Sequence, residues 1–270
     1  MRQGLAARFP FEFVYQLFAL LLAAIVVHAV YVGLIRPNAR ADLTAQAEQL
    51  AENPEFEPER SLWVMIKDPE QEFCLVLMLW AAAIMALKAR NMMAERRLFE
   101  ADLFHVSEGQ SVLPEDTREY ARVIEALPEN DRERLLPRAL LAALHRFRAT
   151  RNVQDVSEAV TRVCEEQSDR LDSELAVVRY IAWAIPAIGF IGTVRGIGDA
   201  LAQAHKAVEG DITGVTESLG VAFNSTLFAL LLSIVLMFLL FQLQLAQERL
   251  VLDTHTHCDR RLVHNLQSSA

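Results

Sequence analysis

Apolar residues gather in four blocks, at about residues 14–35, 73–88, 177–201 and 219–245. Only Gln16 and His28 interrupt the first. A helix needs roughly 20 such residues to cross a hydrocarbon core, and each block approaches or exceeds that length. The second is the shortest. Trp63, Val64, Met65 and Ile66 can lengthen it along the interface, with Trp80 inside the span. The first block follows Arg2 and Arg8, as in a signal peptide, but its apolar run continues to Ile35. That is longer than a usual signal-peptide core, so a retained span is the first reading and cleavage the alternative.

Between the second and third blocks the pattern becomes amphipathic. Asp116 or Thr117 caps a predicted helix with Tyr120, Val123, Ile124 and Leu127 on one face. A second carries Leu135, Leu136, Leu140, Leu141, Leu144 and Phe147. A third begins near Asp155, with Val156, Val160, Val163, Leu171, Leu175 and Val178 at helical spacing. Pro114 and the cluster from Pro128 to Asp131 punctuate the region. No glycine or proline interrupts the chain between Asp155 and Ile185, so one long helix should enter the third span. The fourth span likewise has no breaker before the charged tail from Gln247.

These elements predict an all-α integral membrane protein. It has four transmembrane helices and a helical cytoplasmic region, with long helices running from the membrane into the cytoplasm. Its organisation is a transmembrane hairpin with an outer loop (1–88), a helical cytoplasmic region (89–176), a transmembrane pair (177–246) and a cytoplasmic tail (247–270).

Charge sets the orientation. Arg2 and Arg8 precede the first span, and Lys88, Arg90, Arg96 and Arg97 follow the second. Arg249, Arg260 and Arg261 follow the fourth. All belong in the cytoplasm. The acid-dominated loop 36–72, and the loop 203–218 with Lys206 as its one Lys or Arg, suit the outer side. Both termini are then cytoplasmic.

The 270 residues are 53% hydrophobic and 23% charged, and the two kinds are segregated, as membrane crossing requires. A net charge of −9 leaves no basic field to draw nucleic acid. Cys74, Cys164 and Cys258 have no ligand spacing; Cys74 should pack as a small hydrophobe, and no disulfide framework is expected. His255 and His257 lack acidic or cysteine partners at ligand spacing, so a solvated helix end is preferred to a metal site. No cofactor is expected. No nucleophile–base constellation or phosphate loop points to an enzyme.

The third and fourth spans carry the chemistry. Gly189, Thr193, Gly196 and Ala200 lie on one face, and small residues at that spacing let helices approach closely. Ser218, Ala222, Ser225 or Thr226, Ala229 and Ser233 form a second small, partly polar stripe, and Asn224 adds an amide. Together the stripes can pack helices or line a narrow polar path. Arg195 is the oddity, since a charge within a span costs about 2.5–3.5 kcal/mol on insertion scales. It snorkels to the interface, tunes a pore mouth, or holds an acid of a partner helix. Asp199, one turn later, is a candidate ion-pair partner. No Asp, Glu or Lys falls mid-span, which leaves His28 as the one titratable candidate there.

The stretch 186–198 resembles the G-x-x-G-T-V-x-G-I signature of the MotA/TolQ/ExbB proton-channel family. Pro186 leads it, and Gly189, Gly192, Thr193, Val194, Gly196 and Ile197 match. Residues 222–227 resemble the family's A-F-x-[ST]-T-L segment. The resemblance covers roughly the final third of the chain. The four-span layout is similar to the MotA branch, and the motif wording to the TolQ and ExbB branches. It implies pore-facing Thr193 and Thr226 and an acid near the outer mouth, Glu217; the stripes themselves put Ser225, Asn224 and Ala222 beside the threonines as candidate pore lining, Arg195 and Asp199 at the candidate mouth, and Pro186, Gly189, Gly192 and Gly196 at the helix packing. Aligning on Glu217, however, puts Ala222 at the threonine position. Two departures stand out: Phe228-Ala229 replaces a usual glycine, and Arg195 replaces an uncharged residue. The resemblance further implies a homo-oligomer, a pentamer, in the bacterial inner membrane around a MotB/ExbD/TolR-like pair of single-span partners, each supplying a membrane Asp. The competing reading is a non-conducting scaffold whose cytoplasmic helices recruit partners.

Overall fold

The computed structural model describes residues 11–53, 61–101, 103–104 and 112–267. Arg2 and Arg8, used above to orient the first span, lie outside them. Among the described residues the chain is helical, with one isolated bridge between Val112 and Leu266. It divides into two units, Met1–Met85 with Val177–Leu240, and Ala86–Ala176 with Phe241–Ala270.

The first unit opens with α1 (Phe11–Val30), which passes through a π-helical turn, Tyr31–Ile35, into α2 (Arg36–Glu52). The helix therefore continues well beyond the predicted end of the span. Pro37 explains the irregular turn. Its ring clashes with the carbonyl of Gly33 in a regular α-helix, and a π-turn widens the spiral there. The region predicted as an outer loop is in part this α2, whose alanine, glutamine and glutamate run favours helix.

The short α3 (Leu62–Met65) leads to α4 (Pro69–Glu100). Asp68 followed by Pro69 is a helix start, because proline pre-sets the dihedral and lacks a donor that would be orphaned anyway. Gln71 completes it: its Oε1 accepts the Asp68 N–H at 2.8 Å, and its Nε2 donates to the Met65 carbonyl at 2.8 Å. The second span thus begins earlier than its apolar block. Trp80 donates to the Gln16 carbonyl at 2.9 Å and Tyr15 to that of Ala83 at 3.1 Å. With His28 set against Glu72, these contacts make α1 and α4 an antiparallel pair.

The unit also holds α9 (Ala176–Ala202), the short α10 (Ala204–Val208) and the beginning of α11 (Thr213–Arg261). Asp211 starts α11, accepting the Thr213 N–H at 3.1 Å; that bond holds its carboxyl below the ordinary range. Phe18, Phe190 and Ile234, each about two-thirds exposed, show the composition of lipid-facing helix surfaces. Among the described residues, four helices are long and apolar enough to cross a membrane, Glu12–Leu50, Pro69–Phe99, Val153–Ala202 and Thr213–Asn265.

The second unit packs α5 (Thr117–Glu125), α6 (Glu129–Arg132), α7 (Leu135–Thr150) and α8 (Val153–Glu174) around one core. Ile124, Leu136, Leu140, Leu144, Phe147, Val156, Val160 and Cys164 fill it, closed by Cys258 and Leu262. Asp116, one of the two capping candidates, occupies the N-cap position of α5, but its side chain makes no capping bond and its Oδ2 instead accepts the Leu113 N–H at 3.2 Å. Val123 departs from expectation. It is 57% exposed, because the buried stripe runs through Thr117, Ala121 and Ile124 and leaves it on the flank. The helix expected to run unbroken from 155 has a single irregular residue, Leu175, between α8 and α9. His255 contacts the Thr161 hydroxyl at 3.2 Å and His257 stands edge-on to Phe99, so neither is the free helix end expected.

The α7–α8 corner is made by Arg151, left-handed at φ 54°, and by Asn152, whose side chain accepts the Gln154 N–H at 2.9 Å. Replacing Asn152 with alanine leaves that donor orphaned and should cost about 1 kcal/mol, read as a lower unfolding midpoint, while Asn152→Asp keeps most of it.

Candidate functional site

The site is the seam between α9 and α11. Three glycines on α9, Gly189, Gly192 and Gly196, are buried there. A Cβ at Gly192 would lie 2.5 Å from Ser225 Cβ, and one at Gly196 2.7 Å from the Ala222 nitrogen. At Gly189 it would collide with Ala229. The spacing read from the sequence therefore forms one contact within the chain, glycines against Ala222, Ser225 and Ala229. No larger residue fits at this separation.

Pro186 sits inside α9 and cannot donate to the Ala182 carbonyl. Ser233 of α11 supplies the missing donor, its hydroxyl reaching Ala182 O at 3.1 Å. The Cys74 thiol lies 3.7 Å from the adjacent Ile185 carbonyl. Where no water is at hand, such side-chain donors make a proline tolerable.

Further along the seam the two threonines meet. Thr193 Oγ1 and Thr226 Oγ1 are hydrogen-bonded to each other. Thr226 also donates to Gly189 O at 3.1 Å, and Thr193 lies 3.1 Å from Ala222 O. Both are half-buried, as is Asn224, whereas Ala222 and Ser225 are fully enclosed by the seam. Hydroxyls that accept from one neighbour and donate to the next can pass a proton by rotation, and carry no charge themselves.

At the end of α9 that leads to α10 lies a group of charges. Arg195 donates from Nε to Glu70 Oε1 at 2.7 Å and from Nη2 to Glu70 Oε2 at 2.8 Å. Its partner is thus the first turn of α4, and not Asp199, which is exposed. Glu217, 63% exposed, pairs with Lys67 at 3.7 Å. Glu72 accepts from Arg36 at 2.6 Å and lies 2.7 Å from His28 Nδ1. Asp68 is the uneasy member. Burial pushes its carboxyl up from the ordinary range, and among the described residues its Oδ2 has no hydrogen-bond partner.

Glu70 and Glu72 escaped the sequence reading, which began the second span at residue 73 and assigned both to the loop. The Asp68-Pro69 helix start, with its acidic first turn, was the signal that places them on α4.

Four long apolar helices, two of them joined through a glycine- and hydroxyl-bearing seam, define a multi-pass, all-α membrane protein. Residues 131–255 match the MotA/TolQ/ExbB proton channel family, a stretch that contains both resembling motifs and the whole seam. Members of this family work with single-span partner proteins. No curated protein matches the chain significantly.

Proposed function

We propose that this chain is a proton-channel, stator-like subunit of an ion-driven membrane motor or energy-transducing complex. It lies in the bacterial inner membrane with both termini in the cytoplasm. Copies of the chain, five by family resemblance, surround a MotB/ExbD/TolR-like pair of single-span partners. Each partner contributes a membrane Asp. Thr193 and Thr226, with Asn224 beside them and Ser225 and Ala222 behind, flank that acid during transfer. Arg195, Asp199 and Glu217 shape the charge of the mouth. Proton flow delivers about 2.3 kcal/mol per charge per 100 mV, enough to bias a step between packed states.

The observation that carries this reading is the hydroxyl pair of Thr193 and Thr226, set in the stretch that matches a proton channel family. The double substitution Thr193→Val with Thr226→Val keeps shape and removes both hydroxyls. Proton-dependent output, measured in cells that hold the native partner, should fall tenfold or more while chain levels stay near normal. Unchanged output ends the assignment.

A second reading has its own support. The same hydroxyls are already engaged with Gly189 and Ala222 carbonyls, which suits a scaffold in which the seam only packs helices. The double variant then weakens folding and moves no proton-linked signal. A neighbouring gene for a short protein with one N-terminal, Asp-bearing span favours the channel.

A further inference from the structure

A cavity of about 410 Å³ lies between the end of α8 and the later part of α11, within the second unit. That is the size of a small-ligand site. Gln247 is its unusual wall. The residue is 4% exposed, yet its amide makes no hydrogen bond to any described residue and lines the cavity instead. Buried polar groups are nearly always paired, so an unmet amide at a cavity wall marks a place for a guest. Part of the remaining lining is apolar: Leu175 is fully buried, and Leu171 and Val251 are half-buried. Asp169 and Asp172 of α8 and Glu248 of α11 complete it as exposed acids.

Among the described residues no Lys or Arg lines this cavity. Lys88 and Arg170 hold Glu174, the residue before Leu175, at 2.8 and 3.0 Å. Neither Asp169 nor Glu248 forms an ion pair with a described residue. These walls select a chemistry. The carboxylates repel an anion, and the Gln247 amide oxygen accepts a hydrogen bond, so the guest is a cation with N–H to donate. A metal ion needs convergent ligands, and among the described residues no group of three His, Cys, Asp or Glu side chains could hold one. A hydrated ion also gains nothing from leucine and valine. A methylene chain does, as the stem of a lysine does when it lies along apolar surface with its charged end among polar groups.

We propose that this cavity binds an alkylammonium group on a short methylene chain. Its N–H donates to the Gln247 amide oxygen, its methylenes lie against Leu171, Leu175 and Val251, and Asp169, Asp172 and Glu248 balance its charge. A free aliphatic diamine and a lysine side chain of another protein share this chemistry. The site stands apart from the channel reading, because no residue of the α9–α11 seam takes part in it.

The experiment is isothermal titration calorimetry of the full-length chain in phosphatidylcholine nanodiscs, at about 0.15 M salt so that diffuse surface attraction is screened. Diaminobutane and N-acetyl-lysinamide are titrated separately. At least one should saturate a single site per chain, and the tighter of the two names the source, free diamine or lysine side chain. Gln247→Leu keeps every carboxylate and should weaken that binding about tenfold or more. It should fold at least as well as wild type, since it removes an unmet buried amide. Tetramethylammonium, which has the charge and no N–H, should not compete. A cavity filled by water alone, or by a second copy of the chain, takes up neither amine and overturns the proposal. Binding that Gln247→Leu leaves unchanged, or that tetramethylammonium displaces, also overturns it, because general attraction to acids explains both. Should Gln247→Leu fail to accumulate, Asp169→Asn with Glu248→Gln, both on exposed positions, replaces it: binding should weaken by a similar factor, and unchanged binding overturns the proposal.

Discussion

Gly196→Leu should separate α9 from α11, costing about 3 kcal/mol or more and reducing folded chain several-fold. The reason is what a side chain meets there. A single Cβ already lies 2.7 Å from both the Ala222 nitrogen and the Ser218 carbonyl oxygen, and 2.9 Å from Ala222 Cβ. Two of these atoms are helix backbone and cannot swing aside, so the helices must move apart. Separation also breaks the Ser233–Ala182 and Thr226–Gly189 bonds, which need the same close approach. Gly198→Leu is the control. A Cβ there meets nothing within 4 Å, so the same added bulk on the same helix should change little. Detergent-resistance titration and the gel-filtration profile of both variants measure the contrast. Equal behaviour of the two means the seam is not where the pair is held.

The second large effect lies in the other unit. Phe147→Ala should destabilise it by about 3–5 kcal/mol, because the ring is wholly buried among residues of α7 and α8 and its removal leaves a void that neighbours only partly fill. Val123→Ala, on the exposed flank of α5, should stay within about 0.5 kcal/mol. Protease susceptibility of the full chain across 112–152, followed against temperature, separates them: earlier cleavage in Phe147→Ala and unchanged cleavage in Val123→Ala. If the two melt alike, the assignment of the core is wrong.

Much of this architecture was legible because membrane spans and amphipathic helices both write themselves in hydrophobic period. The four apolar blocks fall on the four long helices, and the stripe from Leu135 to Phe147 is buried as its spacing demands. The glycine and small-residue stripes were also visible. What periodicity does not encode is which stripe meets which. Arg195 illustrates the limit: Asp199 was the nearest acid along the helix, but Glu70, on another helix, holds it in two parallel bonds. Glu70 itself was hidden because hydropathy marks where a helix is apolar and not where it starts. The helix start at Asp68-Pro69 carries that information, and reading it first places two glutamates at the head of α4. The extension of the first helix to Glu52 was missed for a related reason. Its apolar run stops at Ile35, and hydropathy does not show that a widened turn carries the helix past Pro37.

Pro186 gives α9 a ready-made pivot. A bend in an ordinary helix strips carbonyls of their donors, and inside a lipid layer that penalty forbids movement. Here the donor was never in the backbone. The Ser233 hydroxyl turns on its own bond and can follow the Ala182 oxygen through a modest swing. Flexing at this point therefore risks about one hydrogen bond of roughly 1 kcal/mol, and not the collapse of a helical turn.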